Sequence, residues 1–271
     1  MSTPACLFRL DGRVALVTGG GGWLGVPIAS GLAEAGAHVI VTGRRLEPLA
    51  ALVDQLRGAG YSTEVRQMDV TQETDVTSTI NAIRSTHGRL DVIVNNAMAP
   101  IAGPRGLDAP AEAFEQATVG AATAAWRLIV GSLDLLKAAV ALGGDASVIN
   151  VASMYGKVSP DPAVYADTGE PPNPAYYGSA KAGLIQLSRW LACNLGRDGI
   201  RVNSVSPGPF PQWNAREQSP DFVARLDAKT ALGRVGERDE IKGVVVFLAS
   251  RAASFVTGAD LAVDGGWTSY R

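Results

Sequence analysis

The chain has 271 residues, 46% hydrophobic and 18% charged, with a net charge of -2 at pH 7; this is enough apolar material for a large core and rules out disorder by composition. With no block of like charges, neither nucleic acid nor an anionic membrane is an expected partner. Only two cysteines and two histidines are present; Cys6, Cys193, His38 and His87 make neither a disulfide framework nor a conventional zinc site, so a reduced, cytoplasmic protein without a metal is expected.

The opening MSTPACLFRLDGR lacks an apolar core with a basic flank. The longest apolar region, 121–142, is interrupted by Arg127, Asp134 and Lys137, so neither a signal peptide nor a membrane span is expected. Short β-branched runs then alternate with longer helical patterns. Strands are predicted at 14–18, 38–42, 63–67, 92–95, 147–151, 201–205 and 261–263. Helices are predicted at 24–35, 46–58, 72–87, 111–142 with a break, 175–197 and 238–250. This alternation predicts an α/β fold, a parallel sheet covered on both faces by helices, in a single domain over 1–271. Two proline-rich segments, 159–174 and 207–220, interrupt the rhythm and are candidate substrate loops, because long loops in a compact domain are more often functional than idle.

Between the first strand and first helix stands TGGGGWLG, 18–25. Residues without a Cβ let backbone N–H groups approach an anion at a helix N-terminus, so Thr18, Gly19, Gly22, Trp23, Leu24 and Gly25 are candidates for holding a pyrophosphate. An acidic residue that would bind an NAD ribose is expected about 20 residues further on. In VIVTGRR that place holds Gly43, followed by Arg44 and Arg45. Guanidinium forks suit a 2′-phosphate, which favours NADP(H) over NAD(H). Asp69, followed by Val70 in MDV, is placed to accept from an adenine amino group or to cap the next helix.

Tyr177 and Lys181 in YYGSAKAG are four apart on a predicted helix, hence on one face. A tyrosine near pKa 10 exchanges protons poorly at pH 7, and an adjacent ammonium stabilises its phenolate. Tyr176 lies about 100° further round and is expected to pack. Ser153 follows the apolar strand in VINVASMYG, at the carboxyl end where open α/β sheets bind ligands, and its hydroxyl suits a carbonyl oxygen.

With these motifs, and with NNA (95–97), RVNSVSPG (201–208), GRVGERDEI (233–241) and FVTGADLAVDGG (255–266), the chain resembles the short-chain dehydrogenase/reductase family from Gly12 to Trp267. The resemblance implies a doubly wound Rossmann-type sheet of about seven strands, frequently assembled into tetramers or dimers. It implies hydride transfer between nicotinamide and a small-molecule ketone or secondary alcohol. Tyr177 would be the acid/base, Lys181 would lower its pKa and hold the nicotinamide ribose, and Ser153 would orient the substrate oxygen. Asn96, Ala97, Pro207 and Gly208 join the expected cofactor contacts.

Four departures from the family pattern bear on function. Trp23 stands where short members usually carry glycine, and is expected to pack on the cofactor or on an adjacent loop. Met98 replaces the glycine of NNAG near the expected nicotinamide pocket. No asparagine occurs from 97 to 149 to complete a proton relay; the position falls at Gly120 or Ala121, with Thr118 and Thr123 as candidate substitutes. The 24-residue step from Ser153 to Tyr177 is about twice that of relatives, so the surplus is expected to form a flap over the substrate, with Tyr155, Asp161 and Tyr165 as candidate contacts. Phe210, Trp213 and Arg216 are candidates on the second loop. A dinucleotide-binding regulatory or assembly subunit, and a dehydratase or epimerase on the same fold, remain as alternatives.

Overall fold

The structure, a computed structural model, describes residues 4–99 and 101–270, apart from the side chains of Trp213 and Arg216. Seven parallel strands form one sheet in the order β3-β2-β1-β4-β5-β6-β7. They are β1 Val14–Thr18, β2 His38–Gly43, β3 Thr63–Gln67, β4 Val92–Asn95, β5 Ala146–Val151, β6 Ile200–Pro207 and β7 Asp260–Val263. Each coincides with a strand read from the sequence to within two residues at either end.

Alternation of side chains along the strands gives each face its own core. Ala15, Val17, Val39, Val41, Val92 and Val94 pack on one side, against α2 (Gly25–Glu34), α3 (Leu46–Gly58) and α12 (Ile241–Ala249). Val14, Leu16, Ile40, Ile93 and Val148 pack on the other, against α4 (Glu73–His87), α6 (Ala124–Gly131), α7 (Leu133–Gly143) and α9 (Ala175–Leu195). A short α1, Pro4–Leu7, precedes the sheet. At the amino end of the strands, buried Arg13 and Arg201 share the carboxylate of Asp145.

The long helical region at 111–142 is broken twice. It begins as α5 (Ala111–Thr118), widens into a π turn at Val119–Thr123, resumes as α6 and is interrupted again at Ser132 before α7. Ala113, Ala117 and Ala121 pack on Tyr176 and Ala180 of α9. The proline-rich segments are partly helical: α8 (Pro162–Tyr165) lies in the first, α10 (Trp213–Gln218) in the second, and α11 (Pro220–Lys229) begins at its end. Pro162 and Pro220 occupy first-turn positions, where the missing N–H costs no helical bond. Among the described residues no helix is long and apolar enough to cross a membrane.

The register aligns Thr18 with Thr42 across β1 and β2, and Val17 with Val94 across β1 and β4. Since β1 connects outward to β2 while β4 lies on its other side, the chain reverses direction there. A crevice opens at the carboxyl ends of such strands.

Candidate active site

The crevice is a cavity of about 600 Å³ lined by the segments following β1, β2, β3, β4, β5 and β6. At one end are Gly19, Gly22, Trp23 and Leu24, with Arg44 and Arg45 after β2 and Asp69 and Val70 after β3. At the other are Asn96, Ala97 and Met98 after β4, Ser153 after β5, Tyr177 and Lys181 on α9, and Pro207, Gly208 and Phe210 after β6.

The glycine turn is built by close backbone approach. Gly19 has φ +64°, and a Cβ on Gly25 would lie 2.0 Å from the Gly19 carbonyl oxygen. A Cβ on Gly20 would lie 2.2 Å from Val41 Cγ1, so a third glycine, not singled out from the sequence, is fixed by the neighbouring strand. Leu24, the N-cap of α2, supplies no side-chain cap. Of the first amides of α2, Val26 N already donates to Gly22 O and Pro27 has none, so it is the glycine turn itself that faces the cavity, beside the exposed side chains of Arg44 and Arg45. The turn and the two arginines fit a phosphate-bearing dinucleotide.

Two expected contacts act behind the wall instead. Thr18 is buried, and its Oγ1 accepts from the backbone N–H groups of Asn96 and Ala97, both at 3.0 Å. Gly25 permits the turn but does not line the cavity. Asp69 lines it while accepting from Thr71 N at 2.9 Å and Thr71 Oγ1 at 2.7 Å through Oδ1, so it also holds the turn before α4.

Trp23 braces the two sides of the crevice. Its indole Nε1 donates to the carbonyl oxygen of Phe210 at 2.9 Å, and the Arg238 guanidinium lies 4.9 Å from its ring centroid. Of the two expectations for Trp23, packing on an adjacent loop is the one the geometry displays. Phe210 lines the cavity and packs its ring where a Cβ on Gly236 would be 2.5 Å away. Gly208 is held equally tightly, since its Cβ would lie 2.5 Å from Asp264 Cα.

Ser153, Tyr177 and Lys181 converge at the same end. Ser153 Oγ accepts from Tyr155 N at 3.1 Å. Burial raises the Tyr177 pKa above its ordinary value, while a hydrogen bond with Ser153 pulls it down. Lys181 is 4% exposed, and burial lowers its pKa to about 8. Its Nζ donates to Val151 O at 2.7 Å and lies 5.8 Å from the Tyr177 ring centroid. Tyr177 departs from the expected lowering by Lys181: the ammonium is tied to a strand carbonyl, and desolvation of the phenol prevails over the hydrogen bond with Ser153.

Tyr176 is buried edge-on to Phe114, with ring centroids 6.0 Å apart, as expected. Tyr155 and Tyr165 differ from expectation. They do not line the cavity but face each other hydroxyl to hydroxyl at 2.6 Å in a buried cluster with Val164, Val223 and Trp267. Burial of that pair raises the Tyr155 pKa. Asp161 likewise turns from the substrate side, capping α8 through Ala163 N and pairing with Lys229. The side chains of Trp213 and Arg216 lie outside the described residues.

The first proline-rich segment closes on the end of the second and on the α11 helix that follows it. Arg225 of α11 donates to the carbonyls of Ala163 and Ala166, Ser219 Oγ donates to Glu170 Oε1 at 2.6 Å, and Tyr165 and Phe222 rings lie 5.3 Å apart. The expected relay hydroxyls fare differently. Thr118 is exposed and donates to Phe114 O at 2.9 Å, and neither Thr118 nor Thr123 lines the cavity. Gly120 and Ala121 instead border a space of about 10 Å³ beside Asn95, in the π turn itself. A buried chain missed from the sequence runs nearby, from Asn95 Nδ2 to Asn150 Oδ1 and from Asn150 Nδ2 to Ser188 Oγ, each 2.8 Å.

A family model described as Enoyl-(Acyl carrier protein) reductase matches residues 23–268. The chain is 34% identical over 266 residues to the Cis-4-hydroxycyclohexanecarboxylate dehydrogenase of Sinomonas cyclohexanicum, covering 95% of this chain and 97% of that one. Among solved structures, the Pseudomonas aeruginosa RhlG/NADP active-site complex superposes with a TM-score of 0.85 at 31% identity, covering 96% of this chain and 98% of that chain. A gluconate 5-dehydrogenase from Burkholderia cenocepacia, in complex with NADP and tartrate, has a TM-score of 0.83 at 30% identity, with 98% and 99% covered.

Proposed function

The chain belongs to the short-chain dehydrogenase/reductase family of oxidoreductases, and from that premise we propose that it interconverts a ketone and a secondary alcohol with NADP(H). The observation carrying this reading is the convergence of Ser153, Tyr177 and Lys181 at one end of a cavity whose other end holds a glycine turn and two arginines. The relatives support it: one is named for a hydroxycyclohexane acid, and two solved neighbours are named as NADP complexes.

In reduction, Tyr177 gives its phenolic proton to the substrate oxygen; in oxidation it takes one. Its raised pKa keeps the phenol protonated at neutral pH, as the donor role requires. Ser153 Oγ accepts from a backbone N–H and hydrogen-bonds Tyr177, and its hydroxyl turns to the substrate carbonyl to orient it. Lys181, mostly cationic at pH 7 with its pKa near 8, holds the nicotinamide ribose and stabilises the phenolate as the proton departs. A bound nicotinamide supplies or accepts the hydride. Arg44 and Arg45 select a 2′-phosphate by paired N–H donation, with Asp69 and Val70 beside the adenine. Met98 and Phe210 bound the substrate space. The whole chain acts as one NADP(H)-binding unit with 154–174 and 207–221 as substrate loops.

Self-association belongs to the same reading. Trp126 of α6 and Trp190 of α9 are 39% and 52% exposed, with ring centroids 5.9 Å apart, a patch suited to a homo-oligomer.

The test is titration with NADPH and NADH, followed by nicotinamide fluorescence, for the parent and Arg44→Ala. We expect NADPH to bind more tightly and to lose about tenfold selectively in the variant, the loss of one charge-assisted pair. Binding then justifies a carbonyl-substrate screen with Tyr177→Phe as the inactive control. Failure to bind either nucleotide would overturn the enzyme reading in favour of a scaffold, and equal loss for both would overturn the arginine assignment.

A further inference from the structure

The two histidines of the chain, 49 positions apart by their numbers, meet in the fold. His38 opens β2 and His87 closes α4, and their rings lie 4.8 Å apart at an interplanar angle of 42°. Glu64 on β3 joins them, with Oε1 3.5 Å from His87 Nε2. One donor atom from each of the three side chains lies within 4.8 Å of the other two. Both Nε2 atoms are shielded from solvent without a hydrogen-bond partner, an arrangement that calls for a reason in a folded protein.

We propose that His38, Glu64 and His87 form a binding site for a zinc-class divalent cation. Two imidazoles and a carboxylate, with one open position for water, are a known tetrahedral donor set for zinc. His38 is already oriented: its Nδ1 lies 2.7 Å from Ser62 Oγ. In the tautomer that donates from Nδ1 to Ser62, the Nε2 lone pair is left for the ion, the usual second-contact arrangement of a ligating histidine. Metal bonds of about 2.0–2.2 Å require the donors to draw in to about 3.4 Å of one another. Rotations of three half-buried side chains supply that movement. Arg66 Nε, 3.1 Å from Glu64 Oε1, is the competing cation, and binding displaces it from that oxygen.

The site stands at the amino end of the strands, a strand's length from the cavity, so the ion does not touch the reacting groups. It joins β2, β3 and α4. Those elements flank Arg44, Arg45 and Asp69, and the ion therefore fastens the adenine side of the sheet.

The test uses protein stripped with EDTA, in a Cys6→Ser, Cys193→Ser background because both cysteines are exposed. Zinc is titrated calorimetrically and cobalt(II) by visible absorption. We expect one equivalent per chain, a cobalt spectrum of four-coordinate nitrogen and oxygen type, and a rise in melting temperature with zinc. His87→Gln should weaken binding at least about tenfold, and Glu64→Gln provides a second variant should the first fold poorly. Melting of each variant in EDTA must match the parent. Absence of saturable binding at one equivalent, or binding that survives both substitutions, would overturn the proposal.

Discussion

Replacing Lys181 by methionine should abolish activity and yet stabilise the folded protein at neutral pH. Burial lowers the folded-state pKa of Lys181 from 10.5 to about 8. At about 1.4 kcal/mol per pH unit, the protonated side chain opposes folding by about 3 kcal/mol at pH 7. Methionine fills similar volume without the charge but gives up the 2.7 Å bond from the ammonium to Val151 O, worth about 2 kcal/mol for a charged donor. The net gain is about 1 kcal/mol, a rise in melting temperature of about 2–4 °C for a chain of this size. Because the folded site holds its proton more weakly than the unfolded chain does, the unfolded state binds more protons between pH 8 and 10.5. Parent stability contributed by Lys181 therefore rises across that window, and the advantage of the variant shrinks by about 3 kcal/mol and reverses. Urea unfolding of both proteins from pH 7 to 10.5 measures the difference, in which other titrations cancel. A variant less stable than the parent at pH 7, or a gap that does not change with pH, would refute the reasoning.

Trp23→Phe keeps an aromatic face for Arg238 but removes the hydrogen bond to Phe210 O; we expect about 1 kcal/mol lower stability and about fivefold weaker NADPH binding, by urea unfolding and fluorescence titration. Unaltered affinity would show that the brace does not shape the cofactor turn. Arg225→Ala removes the donor to the Ala163 and Ala166 carbonyls. Limited proteolysis within 160–174 should quicken about five- to tenfold and the substrate KM should rise, with NADPH affinity unchanged. Equal cleavage rates would assign the contact no holding role.

The sheet was legible because β1, β2, β4, β5 and β6 are β-branched runs buried on both faces, and β3, TEVRQ, alternates Thr and Val with polar residues as a partly buried outer strand does. β6 runs two residues past its prediction because Pro207, unable to donate at its nitrogen, still pairs with Val263 at the strand's end. The π turn was not legible, since VGAAT has no side chain that distinguishes it from an ordinary helix. The catalytic candidates were readable from spacing and strand-end position, and the arginines from their place after β2. The inward turn of Tyr155 was not, because it depends on Tyr165 ten residues later finding the same buried position. Asp161 before Pro162 and Ser219 before Pro220 did carry a helix-start signal inside segments read as loops. The meeting of His38 and His87 arises only when β2 and α4 are packed, so no local pattern announces it.

The first proline-rich segment is held by α11, at the end of the second, through side-chain to carbonyl bonds, one ion pair and one small aromatic cluster, rather than through strands of the sheet. Such a unit opens at a lower free-energy cost than the sheet behind it. Under the proposed reaction, turnover would acquire a second clock beside proton and hydride transfer: the frequency with which this rim parts to let product leave. Changing the residues of the latch would reset that clock while Ser153, Tyr177 and Lys181 stay where the sheet and α9 hold them.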